Sequence, residues 1–112
     1  MDPADVAAVA AAALLDEGHA GRVYTLTGPE AISVPQQAAQ LAEVLARAVP
    51  VREVPLAEAA AFVPPEFGES LLASLRLVRE GGNATVTGDV REVLGREPGT
   101  YRAWATRHRE RF

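Results

Sequence analysis

Two histidines are the side chains of this sequence best suited to move a proton or bind a metal ion near neutral pH. His19 lies in the turn from Gly18 to Gly21, and His108 shares a helical face with Trp104. The two histidines are far apart and the chain contains no cysteine, so no metal-ligand spacing is present. We interpret His19 as a turn residue and His108 as a packing residue, and we predict no metal site.

Paired carboxylates and a tyrosine are the other residues suited to acid–base chemistry. Asp2 and Asp5 stand three positions apart, and Glu66 and Glu69 repeat that spacing. Both pairs fall at predicted helix starts, where carboxylates accept from free backbone N–H groups and meet the positive end of the helix dipole. Tyr24 lies within a predicted strand whose neighbours pack. We therefore assign no catalytic and no cofactor-binding residue within the chain.

An apolar set around a helix break indicates where a small ligand would bind. The pair Pro64-Pro65 interrupts a helical pattern. A break of this kind, lined with apolar side chains, can wall a pocket, although the same residues also suit core packing. The predicted pocket residues are Phe62, Phe67, Leu71 and Leu72.

Composition limits the class of protein. With 112 residues, 48% of them hydrophobic, the chain is long enough for a single domain over residues 1–112. A net charge of −4 gives no electrostatic reason to bind nucleic acid. The apolar run from Val6 to Leu15 is half the length of a membrane span, and acidic Asp2 and Asp5 replace the basic start of a signal peptide. We expect a cytoplasmic protein with neither nucleic-acid nor membrane partners.

Two short strands are predicted between helices. Val23 to Thr27 is an unbroken run of β-branched and aromatic or apolar residues, which we expect to be buried. Gly28-Pro29 ends it, and Ser33 with Gln36 forms a capping box for the next helix. Val51 to Val54 alternates apolar with charged residues between prolines, which favours a short edge strand.

Helical periodicity accounts for most of the remaining sequence. Asp2 and Pro3 begin the first helix, and Gly18 is its predicted C′ residue. The fold class is a helix-rich α/β fold with about five helices and two short strands. The later helices are predicted over about 34–48, 56–63, 66–79, 89–94 and from Thr100 onward.

Three segments together resemble a known family. They are Asp2-Pro-Ala-Asp-Val-Ala-Ala-Val-Ala-Ala, then Gly18 to Ser33 with its Leu-Thr-Gly-Pro-Glu, and finally Val86-Thr-Gly-Asp-Val with Leu94-Gly-Arg-Glu-Pro-Gly-Thr-Tyr. Their order is similar to that in the C-terminal part of NmrA-like proteins, which are atypical short-chain dehydrogenases that bind NAD(P)H. The resemblance implies the C-terminal, substrate-side lobe of a Rossmann-type protein. NAD(P)H is implied for the full-length family.

Departures from the family pattern shape the expected function. The glycines do not form a phosphate-binding fingerprint after a strand, and lysine is absent, so a Tyr-x-x-x-Lys pair is impossible. The Rossmann nucleotide half is therefore expected to be missing, with no cofactor bound by the isolated chain. Leu45-Ala46-Arg47 replaces the usual Leu-Gly-Arg, so the second helix is expected to run on or to bend differently at its exit.

Three functions remain open on these grounds. The chain is expected to be the substrate-binding lobe, or a fragment, of an NAD(P)H-dependent reductase or redox sensor, inactive when isolated. The alternative is a stand-alone interaction module that forms a homodimer through Val23 to Thr27 or pairs with a Rossmann partner, because unpaired strand edges bind other strands. An independent protein that binds a small apolar ligand at the Phe62 to Leu72 patch is a third possibility.

Overall fold

The chain folds into two compact units. A computed structural model describes the backbone of residues 1–112 and every side chain except that of Ala60. Unit 1 comprises Met1–Val49 and Val86–Phe112, and unit 2 comprises Pro50–Thr85. The assignment of residues 1–112 to a single domain stays a prediction.

Six α-helices make up the regular structure, so the expectation of a helix-rich chain is confirmed. A short 3₁₀ turn over Arg109–Arg111 follows the last helix. The helices are α1 (Pro3–Leu15), α2 (Val34–Leu45), α3 (Leu56–Ala60), α4 (Pro65–Arg79), α5 (Asp89–Leu94) and α6 (Tyr101–Arg107).

The predicted strand from Val23 to Thr27 is not formed. The backbone of residues 1–112, which is described throughout, contains no β-strand. Side chains bind backbone groups that a strand would offer to a neighbour: Thr25 N–H donates to Asp89 Oδ2 at 2.6 Å, and the Thr25 carbonyl accepts from the Thr87 hydroxyl. Burial is also not as predicted, since Val23 is 91% exposed. A sequence with strand propensity forms no ladder without a backbone partner.

The predicted edge strand from Val51 to Val54 is likewise absent from the described backbone. Prolines at positions 50 and 55 remove N–H donors at both ends of this segment. Its charged side chains instead form exposed ion pairs within unit 2, where Arg52 lies 3.4 Å from Glu58 and Glu53 lies 3.5 Å from Arg79. The segment from Val51 to Val54 therefore makes side-chain ion pairs and not the backbone hydrogen bonds of a β-strand.

Helix starts agree closely with the sequence. Asp2 Oδ1 accepts from Ala4 N–H at 3.0 Å, which confirms the cap of α1. Gln36 Oε1 accepts from Ser33 N–H at 2.7 Å, and Ser33 Oγ accepts from Gln36 N–H at 3.4 Å, so the capping box of α2 is present. Thr100 caps α6 by accepting from Ala103 N–H at 3.1 Å. These caps depend on residues within three positions of each other, so local spacing predicts them.

Helix packing organises each unit. In unit 1, α1 packs against α5 and α2 packs against α6; in unit 2, α3 packs against α4. The apolar side chains that are buried, among those described, are Val9 of α1, Val90 of α5 and Ala105 of α6. A glutamate of α2, Glu43, pairs with Arg102 of α6 at the surface. Two of these side chains, Val9 and Val90, therefore lie on α1 and α5, the helices that pack against each other.

The exit of α2 is strained. The helix ends at Leu45, three residues before the predicted end at Ala48, and Ala46 adopts φ 54° and ψ 37°. This is the left-handed region, in which a side chain is unfavourable and glycine is usual. Gly81 and Gly95 take the same region after α4 and α5, as their positions predict. The expected difference at Leu45-Ala46-Arg47 is thus a turn made by alanine in a glycine conformation.

Replacing Ala46 with glycine is expected to stabilise the protein. The substitution Ala46→Gly removes the strain of a left-handed alanine and should raise the free energy of unfolding by about 1 kcal/mol. Urea denaturation monitored by circular dichroism measures the change. Ala39→Gly, at an exposed position inside α2, is the matched control and should lower stability by about 1 kcal/mol. A loss of stability in Ala46→Gly would show that the left-handed turn is not formed.

Candidate functional site

Two buried carboxylates at the start of α1 hold the C-terminal part of unit 1. Asp2 and Asp5 are only 7% and 2% exposed. Asp5 Oδ2 accepts from Gly99 N–H at 2.7 Å, and Asp5 Oδ1 lies 2.7 Å from the guanidinium of Arg96. Burying an ionised carboxylate is costly unless it is paired and hydrogen-bonded. Asp5 meets both conditions.

Asp2 is ionised by its surroundings despite its burial. Besides capping α1, its carboxylate accepts from the guanidinium of Arg107 on α6. Burial is the largest single influence and would raise the pKa of Asp2, but Ala4 N–H, Arg107 and nearby His108 together outweigh it and hold that pKa below its ordinary value. The sequence predicted the cap correctly and missed the bond to Arg107, because the two residues are 105 positions apart.

Gly99 lies too close to both carboxylates for a larger residue. A Cβ atom at this position would lie 2.9 Å from Asp2 Oδ2 and 3.4 Å from Asp5 Oδ2. The absence of a side chain lets the Gly99 N–H reach Asp5. The sequence signal for this arrangement is the Gly95-Arg-Glu-Pro-Gly segment, which places Arg96 and Gly99 just before α6.

A cleft of about 270 Å³ opens beside this cluster in unit 1. Its walls come from the start of α1, the loop that leads into α2, the first turn of α2 and the start of α6. The lining residues are Met1, Asp2, Pro3, Gly28, Pro29, Glu30, Ile32, Gln37, Gly99, Thr100, Tyr101 and Trp104. Concave sites with aromatic walls and a few polar groups are the usual form of small-molecule sites.

The aromatic wall of the cleft is held by ring contacts along α6. The rings of Tyr101 and Trp104 stack with centroids 5.7 Å apart. The centroid of the Trp104 ring lies 5.1 Å from that of His108 and 5.9 Å from that of Phe112, and the Phe112 contact is edge-to-face. His108 Nδ1–H donates to the Trp104 carbonyl at 2.8 Å, which fixes its tautomer. His108 therefore packs behind the tryptophan, in agreement with the interpretation from the sequence.

His19 and Tyr24 meet, which the sequence did not predict. His19 Nδ1 lies 2.8 Å from the Tyr24 hydroxyl, and the rings make an edge contact at 5.8 Å. The guanidinium of Arg22 lies over the tyrosine ring at 5.7 Å and pairs with Glu92 of α5 at 2.7 Å. A histidine and a phenol in hydrogen-bond contact can exchange a proton. Neither residue lines the cleft, so this pair stabilises the loop between α1 and α2.

The residues of the predicted apolar pocket lie in unit 2. Phe62, after α3, is 88% exposed, and Phe67 in the first turn of α4 is 59% exposed. Leu71 and Leu72 are half-buried on α4. None of the four lines the cleft of unit 1. A ligand pocket at these residues stays a prediction.

The described residues contain neither a cluster of metal ligands nor a helix that could span a membrane. Among the side chains that the structure describes, no three metal-ligating residues lie close enough together to hold a metal ion. No helix in the described backbone has the length and apolarity required to cross a membrane.

Comparison with known proteins relates the chain to reductases. No protein-family model matches it. It is 42% identical over 116 residues to a (4-alkanoyl-5-oxo-2,5-dihydrofuran-3-yl)methyl phosphate reductase of Streptomyces griseus, covering 100% of this chain and 41% of that protein. It is 29% identical over 117 residues to an NAD(P)H azoreductase of Xenophilus azovorans, with the same coverage. The chain thus spans 41% of the length of the reductases it matches, and the expected relationship to reductases is confirmed.

Acid should destabilise the protein partly through Asp2. The pKa of Asp2 is lower in the folded than in the unfolded chain, so the unfolded chain binds more protons in acid. The stabilisation is complete above about pH 4 and is lost as the pH falls through the lowered folded value. Asp2→Asn keeps a capping oxygen but does not titrate, so its free energy of unfolding should be lower at pH 7 and fall less steeply below pH 4.

Urea denaturation at a series of pH values between 7 and 3 measures this difference. Asp16→Asn, which removes an exposed carboxylate at the other end of α1, is the matched control and should keep the acid dependence of the parent chain. Equal acid slopes for Asp2→Asn and the parent would contradict the assigned role.

Adding a methyl group at position 99 should disrupt the carboxylate cluster. In Gly99→Ala the new Cβ would press on Asp2 and displace the N–H bond to Asp5, which should lower the free energy of unfolding by about 1–3 kcal/mol. Gly68→Ala in α4 is the control, because its Cβ meets no atom within 4 Å and should add about 1 kcal/mol of stability. Thermal melting distinguishes the two, and a neutral Gly99→Ala would refute the tight contact.

Proposed function

We propose that the chain is the substrate-side lobe of an NmrA-like, NAD(P)H-dependent reductase whose cofactor is bound by a Rossmann lobe outside these 112 residues. The observation that carries this proposal is the match of the whole chain to 41% of each of two reductases. One of those relatives, from Xenophilus azovorans, is an NAD(P)H azoreductase. A shared ancestor makes a common division into cofactor and substrate parts the simplest explanation.

The cleft supports a substrate role better than a cofactor role. A dinucleotide pyrophosphate is bound by backbone N–H groups of a glycine-rich turn at a helix start, and the chain lacks that motif. The ionised lining side chains, Asp2 and Glu30, are both negative. Carboxylates disfavour a pyrophosphate. Accordingly, we propose that the cleft of unit 1 binds substrate and that another part of the reductase binds NAD(P)H.

An exposed apolar face on α1 favours a role in association as well. The exposed positions of α1 carry only apolar residues, and Leu14 and Leu15 are 86% and 83% exposed. A helix that is apolar on all sides is normally buried. We propose that a Rossmann partner covers this face. Homodimerisation through Val23 to Thr27 has less support than this Rossmann partner. A second copy would need the Thr25 N–H for strand pairing, and that group already donates to Asp89.

The apolar residues of unit 2 are a second candidate surface for contact with substrate. Exposed aromatic side chains can bury a large apolar area when a ligand contacts them. Phe62 and Phe67 are exposed aromatics on either side of the Pro64-Pro65 break, next to half-buried Leu71 and Leu72. We propose that they form a second apolar wall for substrate in the complete reductase.

A chimera tests the proposed lobe. The 112 residues replace the aligned segment of the Xenophilus azovorans azoreductase, and NAD(P)H oxidation is followed at 340 nm with a panel of azo dyes. We expect the folded chimera to oxidise NAD(P)H when dye is present. The isolated 112-residue chain, titrated with NADPH by fluorescence, should show neither binding nor oxidation.

The control for the chimera is its thermal melting curve beside that of the parent azoreductase. The proposal would be contradicted by a chimera that melts cooperatively and binds NADPH but does not oxidise it with any dye of the panel. Saturable NADPH binding by the isolated chain would overturn the view that the cofactor site lies elsewhere.

A further inference from the structure

The cleft of unit 1 combines an aromatic wall with an acidic rim. Trp104 and Tyr101 stack on one side, and Pro3, Pro29 and Ile32 add apolar surface. A cavity of about 150 Å³ lined by apolar side chains holds one benzene ring. At about 270 Å³ the cleft has room for an aromatic group larger than a single ring.

The side chains that line the cleft include two carboxylates, those of Asp2 and Glu30, and no cationic group. Asp2 is ionised and is neutralised from outside the cleft by Arg107, which does not line it. Glu30 is an exposed carboxylate at the rim. Apart from the α-amino group of Met1, the lining residues carry no cation. A phosphate ester would therefore meet Glu30 without an arginine fork to bind it.

Polar groups in the cleft suit a neutral ligand. Gln37 holds its own loop by donating from Nε2 to the Ile32 carbonyl at 3.5 Å, a long bond that leaves the amide able to bind elsewhere. An amide donates to or accepts from an uncharged nitrogen or oxygen without a charge penalty. A flat ring that lies against the wall formed by Tyr101 and Trp104 would occupy the same cleft as Gln37.

We infer that this cleft binds a flat, uncharged aromatic group against Trp104 and discriminates against phosphate esters. The inference deepens the proposed function and rests on it for the reductive role of that ligand. Of the two relatives, one is a reductase of a furanone that carries a phosphorylated hydroxymethyl group, and the other is an azoreductase. The chemistry of this cleft matches the second class of substrate.

Nuclear magnetic resonance on the 112-residue chain tests the inference without any reductant. Trp104 is the only tryptophan, so its indole N–H gives a single reporter signal. The probes are 4-(phenylazo)benzyl alcohol and its phosphate ester, which share rings and differ in charge. We expect the alcohol to shift the Trp104 signal saturably and the ester to bind at least tenfold more weakly.

A charge reversal at the rim separates stacking from charge. Glu30→Arg should narrow the difference in affinity between alcohol and ester at least threefold. Glu17→Arg makes the same charge change at an exposed position that does not line the cleft, and it should leave the difference unchanged. A similar effect of both variants would show that net charge, and not the rim, governs discrimination, which would overturn the inference.

Three other outcomes would also overturn it. They are no saturable shift of Trp104 with the alcohol, equal or tighter binding of the ester, and shifts confined to Phe62 and Phe67. The chimera experiment fails independently of these outcomes. If the chimera is folded but inactive while the alcohol shifts Trp104, the cleft binds aromatics but the reductase role is wrong.

Discussion

The buried carboxylates of Asp2 and Asp5 are the constraint on which unit 1 depends. Two negative charges removed from water oppose folding unless donors reach them, and here the donors are Gly99 N–H, Arg96 and Arg107. Asp5 and Gly99 are 94 positions apart in the sequence. The first and last segments of the chain are therefore joined by bonds whose loss would leave buried charge unpaired, a cost larger than that of a surface ion pair.

The same bonds create the candidate site. Asp5 binds Gly99, which precedes α6, and Asp2 binds Arg107, the last residue of α6, so the start of α1 lies beside this helix. The cleft lies at this junction, with Met1 to Pro3 on one wall and Gly99 to Trp104 on another. The loop that precedes α2 closes it through Glu30 and Ile32. Asp2 thus belongs both to the carboxylate cluster and to the lining of the cleft, whereas Glu30 lines the cleft and lies outside the cluster.

The features predicted correctly from the sequence are those formed by residues that are close together along the chain. The cap of α1 by Asp2 and the capping box of Ser33 with Gln36 act within three residues, and both were predicted correctly. Val23 to Thr27 has strand propensity, but strand formation depends on a distant backbone partner. The side chains of Asp89 and Thr87 bind the N–H and carbonyl groups of Thr25 instead. The cleft was missed for the same reason, since its two principal walls lie about a hundred residues apart.

The pattern of burial in unit 1 fits the proposal that the chain is a lobe of a reductase. Among the described side chains, the buried apolar ones are Val9, Val90 and Ala105, which are all small. Meanwhile Leu14 and Leu15 stand exposed on a helix with no polar face. A small core gives little stability by apolar burial, so structures of this kind depend on other bonds or on a partner. In unit 1 the paired carboxylates supply the bonds, and the open face of α1 is where a cofactor lobe would add the missing apolar contact.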